Sequence, residues 1–283
     1  MSKEVKIKNG QGLFKKALDL GKICDSLGCG LGAMDEYFRI SMDVNGGPLV
    51  FFNPDCVGRG VQIYDYTSKS ECRLVMNSPS APQDVELLYR LIGVIAELWK
   101  AGYVTMDGEK VLLSELEPRK AKDHESNIRI LSNARQLWKG NITVYGAYWP
   151  LVFTLDEMDA FSGKDGYDKF GKTLHEMLSL EAFYTEPNIY IEDDKVCCAY
   201  IPLVDTISIF PKNPDPEYKD HTGKVAPFDR LLVILKDDNG LYLEVDFKEF
   251  MSKIPQKYVK RYDESHVQVL PVPTDELYEL FED

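Results

Sequence analysis

Residues 72–99 read CRLVMNSPSAPQDVELLYRLIGVIAELW. Cys72 to Asn77 is a short run of strand-forming residues, closed by a Ser-Pro step. A helix follows. The Ser80 hydroxyl can accept from the Gln83 amide while the Gln83 side chain reaches back, a capping box. Val85, Leu88, Leu91, Ile92, Ile95, Leu98 and Trp99 then recur at steps of three and four, one apolar stripe of a helix. Glu86 and Arg90 form an outward i,i+4 pair, and Gly102 is the expected stop. A strand that feeds a long amphipathic helix calls for a sheet to cover, and the neighbouring sequence supplies one.

Upstream, Tyr37 to Val44, Leu49 to Asn53 and Val61 to Tyr66 are three more short strand candidates, separated by Gly, Pro, Asn and Asp. Runs this close together pair as hairpins, so the sheet is expected to be antiparallel. Glu4 to Lys8 reads as another strand. Leu13, Phe14, Ala17, Leu18, Leu20, Ile23 and Cys24 have helical spacing, ended by the glycines at 28, 30 and 32. Downstream, Ser114 and Glu117 repeat the capping-box pattern. The polar stretch from Glu117 to Asn127 reads as a solvated helical turn or a linker, and Ile128, Leu131, Ala134 and Trp138 make a second stripe that closes the first half near Gly140.

The second half repeats the plan. An apolar run, Ile142 to Phe153, precedes a short helix capped by Thr154 and a longer one carrying Tyr167, Phe170, Leu174, Met177, Leu178 and Phe183. Asn188 to Ile191 and Val196 to Ile201 flank Asp193-Asp194 as a hairpin, and Leu231 to Lys236 with Leu241 to Val245 flank Asp238-Asn239-Gly240 as another. Thr206 to Phe210 extends the sheet. Short helices opened by Asp246 and Thr274 bracket a strand at Val267 to Leu270. The sequence therefore predicts an α+β protein of two lobes, 1–140 and 141–283, each a mostly antiparallel sheet packed against helices.

Charge separates these halves. Residues 1–139 carry 19 Lys+Arg against 18 Asp+Glu, and residues 140–283 carry 14 against 28. A field of that sign repels nucleic acid and acidic membrane surfaces and draws basic partners. Met1 to Lys8 has no signal-peptide pattern and no apolar run approaches the roughly 20 residues that span a bilayer, so a cytoplasmic protein is expected. The six cysteines, at 24, 29, 56, 72, 197 and 198, show no CxxC and are expected to be free, mostly buried thiols.

Motifs for chemistry are few. Gly28, Gly30 and Ala33 satisfy G-x-G-x-x-A, but a helical stripe stands where the dinucleotide fold needs a strand. There is no phosphate-cradling G-x-x-x-x-G-K-[ST], no G-x-S-x-G and no H-E-x-x-H. Cys56, in the loop Asn53-Pro54-Asp55-Cys56-Val57-Gly58-Arg59, is the only cysteine in a loop with a nearby cation, so Cys56 and Arg59 are the reactive candidates. His124, His175, His221 and His266 are far apart, with no zinc spacing. The carboxylate groups Asp156/Glu157/Asp159, Asp193/Asp194 and Asp237/Asp238 arise readily in so acidic a segment, and the last two pairs fall at hairpin turns. No metal and no cofactor is expected. The stretch from Pro211 to Pro227 is long for a loop, and its Asp215, Glu217, Asp220 and His221 are the partner-binding candidates.

Gly58-Arg59-Gly60 before a strand, Asn77-Ser78-Pro79-Ser80 before the amphipathic helix, Gly146 with Pro150, Phe183-Tyr184, and Thr206 with Pro211 together carry a resemblance. In that order they resemble an uncharacterised bacterial family, domain-of-unknown-function family forty-two ninety-nine, over nearly the whole chain. The resemblance implies a bacterial cytosolic protein and assigns no activity, cofactor or catalytic residue. The expected function is non-catalytic binding or regulation, with the acidic second lobe meeting a basic protein. The alternative is an enzyme whose site lies in the cleft between lobes.

Overall fold

The computed structural model describes residues 2–12, 15–35, 39–41, 48–203, 205–214, 218–219, 225–236 and 242–281. The fold is α+β, and the chain divides into two compact units, Met1–Ser179 and Leu180–Asp283.

The first unit is built on the strand and helix of residues 72–99. Its strands are β1 (Ser2–Lys8), β2 (Gly30–Met34), β3 (Ile40–Ser41), β4 (Leu49–Phe52), β5 (Val61–Tyr64), β6 (Glu71–Asn77), β7 (Tyr103–Met106) and β8 (Glu109–Leu112), and its first helices are α1 (Leu20–Leu27) and α2 (Pro82–Trp99). The eight strands form one antiparallel sheet in the order β3-β2-β4-β5-β6-β1-β7-β8. Helix α2 lies across β1, β5 and β6. Val85, Leu88, Leu91, Ile92, Ile95 and Trp99 are buried against Val5, Ile7, Ile63 and Leu74, as the stripe predicts, while Leu98 in the last turn is exposed.

Local details differ from the sequence reading. Helix α2 begins one residue later than expected: the Asp84 carboxylate accepts from the N–H of Ala81, and Ser80 instead donates its hydroxyl to the Asn77 carbonyl. The helix ends at Lys100, which adopts φ +54°, and not at Gly102. Glu86 bonds Lys120 and His124 and Arg90 bonds the Leu27 carbonyl, so the Glu86–Arg90 pair does not form. Helix α1 starts only at Leu20, because Asp19 caps it there by accepting from Lys22; residues 13 and 14 lie outside the described residues. Gly28 ends it with φ +61°. Gly30 and Gly32 lie in β2, where a Cβ would meet the Phe52 ring and the Ile40 side chain at 2.3 Å.

The polar stretch after Glu117 is the body of a helix, α3 (Leu116–Ser132). Its inward face is polar: Asp123 accepts from Lys3 at 2.8 Å and from the Tyr89 hydroxyl at 2.7 Å, and Asn127 accepts from the Ser80 N–H at 2.7 Å. The expected Ser114–Glu117 box is replaced by Glu115, which accepts from the Leu112 N–H ahead of a single 3₁₀ turn. The chain breaks at Asn133 into α4 (Ala134–Leu137), so the Ile128–Trp138 stripe is not one helix. Then come β9 (Ile142–Tyr145), β10 (Pro150–Phe153), α5 (Leu155–Asp159), capped by Thr154, and α6 (Gly163–Leu178).

These last elements pack with the first unit. Gln83 on α2 donates to the Gly171 carbonyl on α6, and the Val57 N–H donates to His175 Nδ1 at 3.0 Å. Such bonds place the division at residues 179/180, whereas the sequence reading put it near 140.

The second unit holds two four-stranded sheets. One has the order β11 (Ala182–Tyr184), β14 (Ile207–Pro211), β20 (His266–Val269), β19 (Val259–Arg261). The other runs β12 (Asn188–Glu192), β13 (Lys195–Tyr200), β17 (Arg230–Lys236), β18 (Tyr242–Asp246). Pairing is antiparallel except at β11–β14 and β13–β17. A two-residue ladder joins β15 (Tyr218–Lys219) to β16 (Val225–Ala226). Asp193 and Asp194 turn the β12–β13 hairpin with φ of +46° and +62°, a conformation aspartate tolerates. Helices α7 (Phe247–Lys253) and α8 (Thr274–Glu279) belong to this unit, and Phe210, Val233, Phe247 and Phe250 centre its core. Among the described residues, no helix is long and apolar enough to cross a membrane.

Candidate functional site

Arg59 leaves the β4–β5 loop and enters the protein, retaining 8% exposure. Its Nε donates to the Tyr145 carbonyl at 3.1 Å and its Nη1 to the Pro79 carbonyl at 2.9 Å. The Asp84 carboxylate receives the backbone N–H groups of Arg59 (2.9 Å), Gly60 (2.8 Å) and Ala81 (3.0 Å). Gly58 stands so close that a Cβ there would lie 2.5 Å from this carboxylate, and Gly60 needs φ +74°. Burial draws the Arg59 guanidinium down to about 10, against the opposing pull of Asp84, and pushes the Asp84 carboxyl up. All of these bonds end on the unit's own backbone, so the arrangement clamps the loop to the start of α2.

Cys56 shares the loop but has no activating partner there. Burial raises its thiol, and the charge of Asp84 adds to the rise. Burial likewise pushes Cys24, Cys72 and Cys198 up to about 12. A thiolate is the reactive form, so at pH 8 the native protein is expected to react with a disulfide reagent such as DTNB far more slowly than a free thiol does. In denaturant all six cysteines should titrate, since all are free. A fast stoichiometric burst from the native protein would contradict this.

Among the described residues, no three His, Cys, Asp or Glu side chains gather as a metal site. Asp156 and Asp159 both hold Arg135, and Glu157 closes the Thr154 cap. His124 bonds Tyr167 and Glu86. Asp215, Glu217, Asp220, His221 and the Asp237/Asp238 pair lie outside the described residues.

The second unit contains two features that the sequence reading missed. The first is a chain of polar groups on the first of its sheets. Asp263, 1% exposed, accepts from His266 Nδ1 at 2.9 Å, and His266 Nε2 meets the Tyr184 hydroxyl at 2.7 Å. If Nδ1–H of a neutral imidazole is given to the carboxylate, Nε2 accepts from the Tyr184 hydroxyl. Such a chain can hold a proton at Nε2 or pass one to the hydroxyl. The local signal was available: an aspartate three residues ahead of a histidine at a turn between strands.

The second is a cleft of ≈ 510 Å³, open to solvent and within the second unit. Its wall is mainly apolar, including Leu203, Leu235, Phe250, Val269, Leu270 and Leu277. Its polar lining includes Asp205, Ser208 and Lys236. Ser208 pairs with Phe183 and Val269 on neighbouring strands, and Asp205 precedes β14 with φ +59°.

The model of a family described as a domain of unknown function (DUF4299) matches residues 2–280. No curated protein and no solved structure matches the chain.

Proposed function

We propose, for a chain that belongs to the DUF4299 family, a non-catalytic binding or regulatory protein whose acidic C-terminal unit meets a basic protein surface in the bacterial cytosol. One observation carries the reading. Residues 180–283 contain 11 Lys+Arg against 22 Asp+Glu, while residues 1–179 contain 22 against 24, so nearly the whole net charge of −13 belongs to one compact unit. Charge concentrated on one unit steers an oppositely charged partner and speeds its encounter. Six free cysteines suit a reducing compartment.

The test is capture from native lysate by the whole protein and by the variant Glu181→Gln, Asp193→Asn, Asp194→Asn, Glu279→Gln, at low and moderate salt. These four carboxylates are exposed, and asparagine keeps the positive φ of the turn available. The expected result is a basic protein retained by the wild type, reduced in the variant and released by salt. Equal capture by both proteins, or capture that salt does not weaken, overturns the reading.

A further inference from the structure

Ser208 is 2% exposed, lines the cleft, and its Oγ has no hydrogen-bond partner among the described residues. A buried hydroxyl left unsatisfied weakens a fold, and native proteins hold few of them. The hydroxyl itself is sealed from solvent, but its residue borders a space that a ligand can enter. Two charges of opposite sign, Asp205 and Lys236, line the same cleft, and among the described residues neither forms an ion pair, with the other or elsewhere. Lys236 only lies over the Tyr242 ring, at 5.6 Å. Asp205 is also held in the left-handed region at φ +59°, a conformation that non-glycine residues adopt at some cost and that often marks a binding segment.

We propose that this cleft binds a small zwitterion with an apolar side chain, of the class of the apolar α-amino acids. The ammonium group goes to Asp205, the carboxylate to Lys236 and to the Ser208 hydroxyl, which turns toward the cleft to meet it, and the side chain to the wall of Leu235, Phe250 and Val269. Three observations select this class over its neighbours. The apolar wall disfavours a polar side chain, which would lose its water without replacement. A plain carboxylic acid would leave Asp205 opposed to it, in a unit that already carries 22 acidic residues against 11 basic ones. A plain amine would leave Lys236 and Ser208 unused.

The experiment is calorimetric titration of the full-length protein with L-phenylalanine, 3-phenylpropionate and 2-phenylethylamine, which share the ring and differ only in the head group. L-Phenylalanine is expected to bind about tenfold more tightly than either analogue. Lys236→Met should erase its advantage over the amine, and Asp205→Asn its advantage over the acid. Ser208→Ala should weaken L-phenylalanine binding and at the same time raise the melting temperature of the free protein, because the unsatisfied hydroxyl is gone. A merely structural serine would not move the two readouts in opposite directions. Absence of L-phenylalanine binding, equal binding of all three compounds, or variants that leave the preference intact would overturn the proposal.

Discussion

Replacing Asp84 by alanine is expected to destabilise the N-terminal unit by about 3–5 kcal/mol, the range for breaking a buried charged partnership. The substitution strips three buried N–H groups, those of Arg59, Gly60 and Ala81, of their acceptor. It also leaves the Arg59 guanidinium without the carboxylate that offsets its desolvation. Total stabilities are about 5–15 kcal/mol, so Asp84→Ala should shift a urea transition visibly or leave the protein insoluble. Asp84→Asn keeps the volume and one oxygen acceptor and should lie between the two. Arg59→Met is the instructive partner: it removes the buried cation together with its cost, takes a donor from the Tyr145 and Pro79 carbonyls and the opposing charge from Asp84, which keeps its three N–H donors, and is expected to cost less, about 1–3 kcal/mol. The double variant should fall short of the sum, because each change removes part of what the other loses. An Asp84→Ala protein with the urea midpoint of the wild type would refute the clamp.

In the C-terminal unit the largest effect is expected at Asp263. Its side chain is wholly buried and accepts the N–H groups of Ser265 and His266, both at 2.7 Å, as well as His266 Nδ1. Asp263→Ala orphans all three donors and should cost about 2–4 kcal/mol. A second readout separates this from ordinary loss of packing. The carboxylate at Nδ1 is expected to hold the proton of a neutral His266 there, with Tyr184 donating to Nε2. Nitrogen-15 spectra of the imidazole should show the Nδ1–H tautomer in the wild type and lose that preference in Asp263→Asn. The Nε2–H tautomer in the wild type would contradict the assigned direction of the chain.

Helix α2 was legible because its burial follows a strict 3.6-residue stripe and its core contacts are apolar. Its cap was misplaced by one residue. Ser80 and Asp84 are both good capping residues, and the choice between them was made by the loop of Arg59 and Gly60, which is distant in sequence. The first turns of helix α3 were not legible because the inward residues there, Asp123 and Asn127, are polar, and only Leu131 near its end is a buried apolar residue. Their partners Lys3, Tyr89 and Ser80 come from three separate segments, and no local pattern announces such a match. The first unit takes in residues 140–179 for the same reason: the bonds of His175 and Gly171 reach Val57 and Gln83. Of the candidate residues, Arg59, read from the sequence as a reactive candidate beside Cys56, is buried with its side-chain bonds running to backbone carbonyls. Ser208 sits in a run, Thr206 to Phe210, that reads as a plain strand; only the missing partner of its hydroxyl marks it, and that is a property of the packed protein.

Strand β1 lies between β6 and β7 in the middle of the eight-stranded sheet, with Val5 opposite Leu74 on one side and Met106 on the other. During synthesis the second neighbour of this strand appears about a hundred residues after it. At roughly 5–20 residues per second, that is a wait of about 5–20 s. Throughout it, the edge of β1 that β7 will occupy has its backbone groups unpaired, although α2, made in the meantime, can already cover Val5 and Ile7. Pairings this distant in sequence are slow to close. An interval in which a nascent chain of this protein carries an open strand edge is thus set by the place of one strand in the sheet, and ends when Tyr103–Met106 arrives to pair with it.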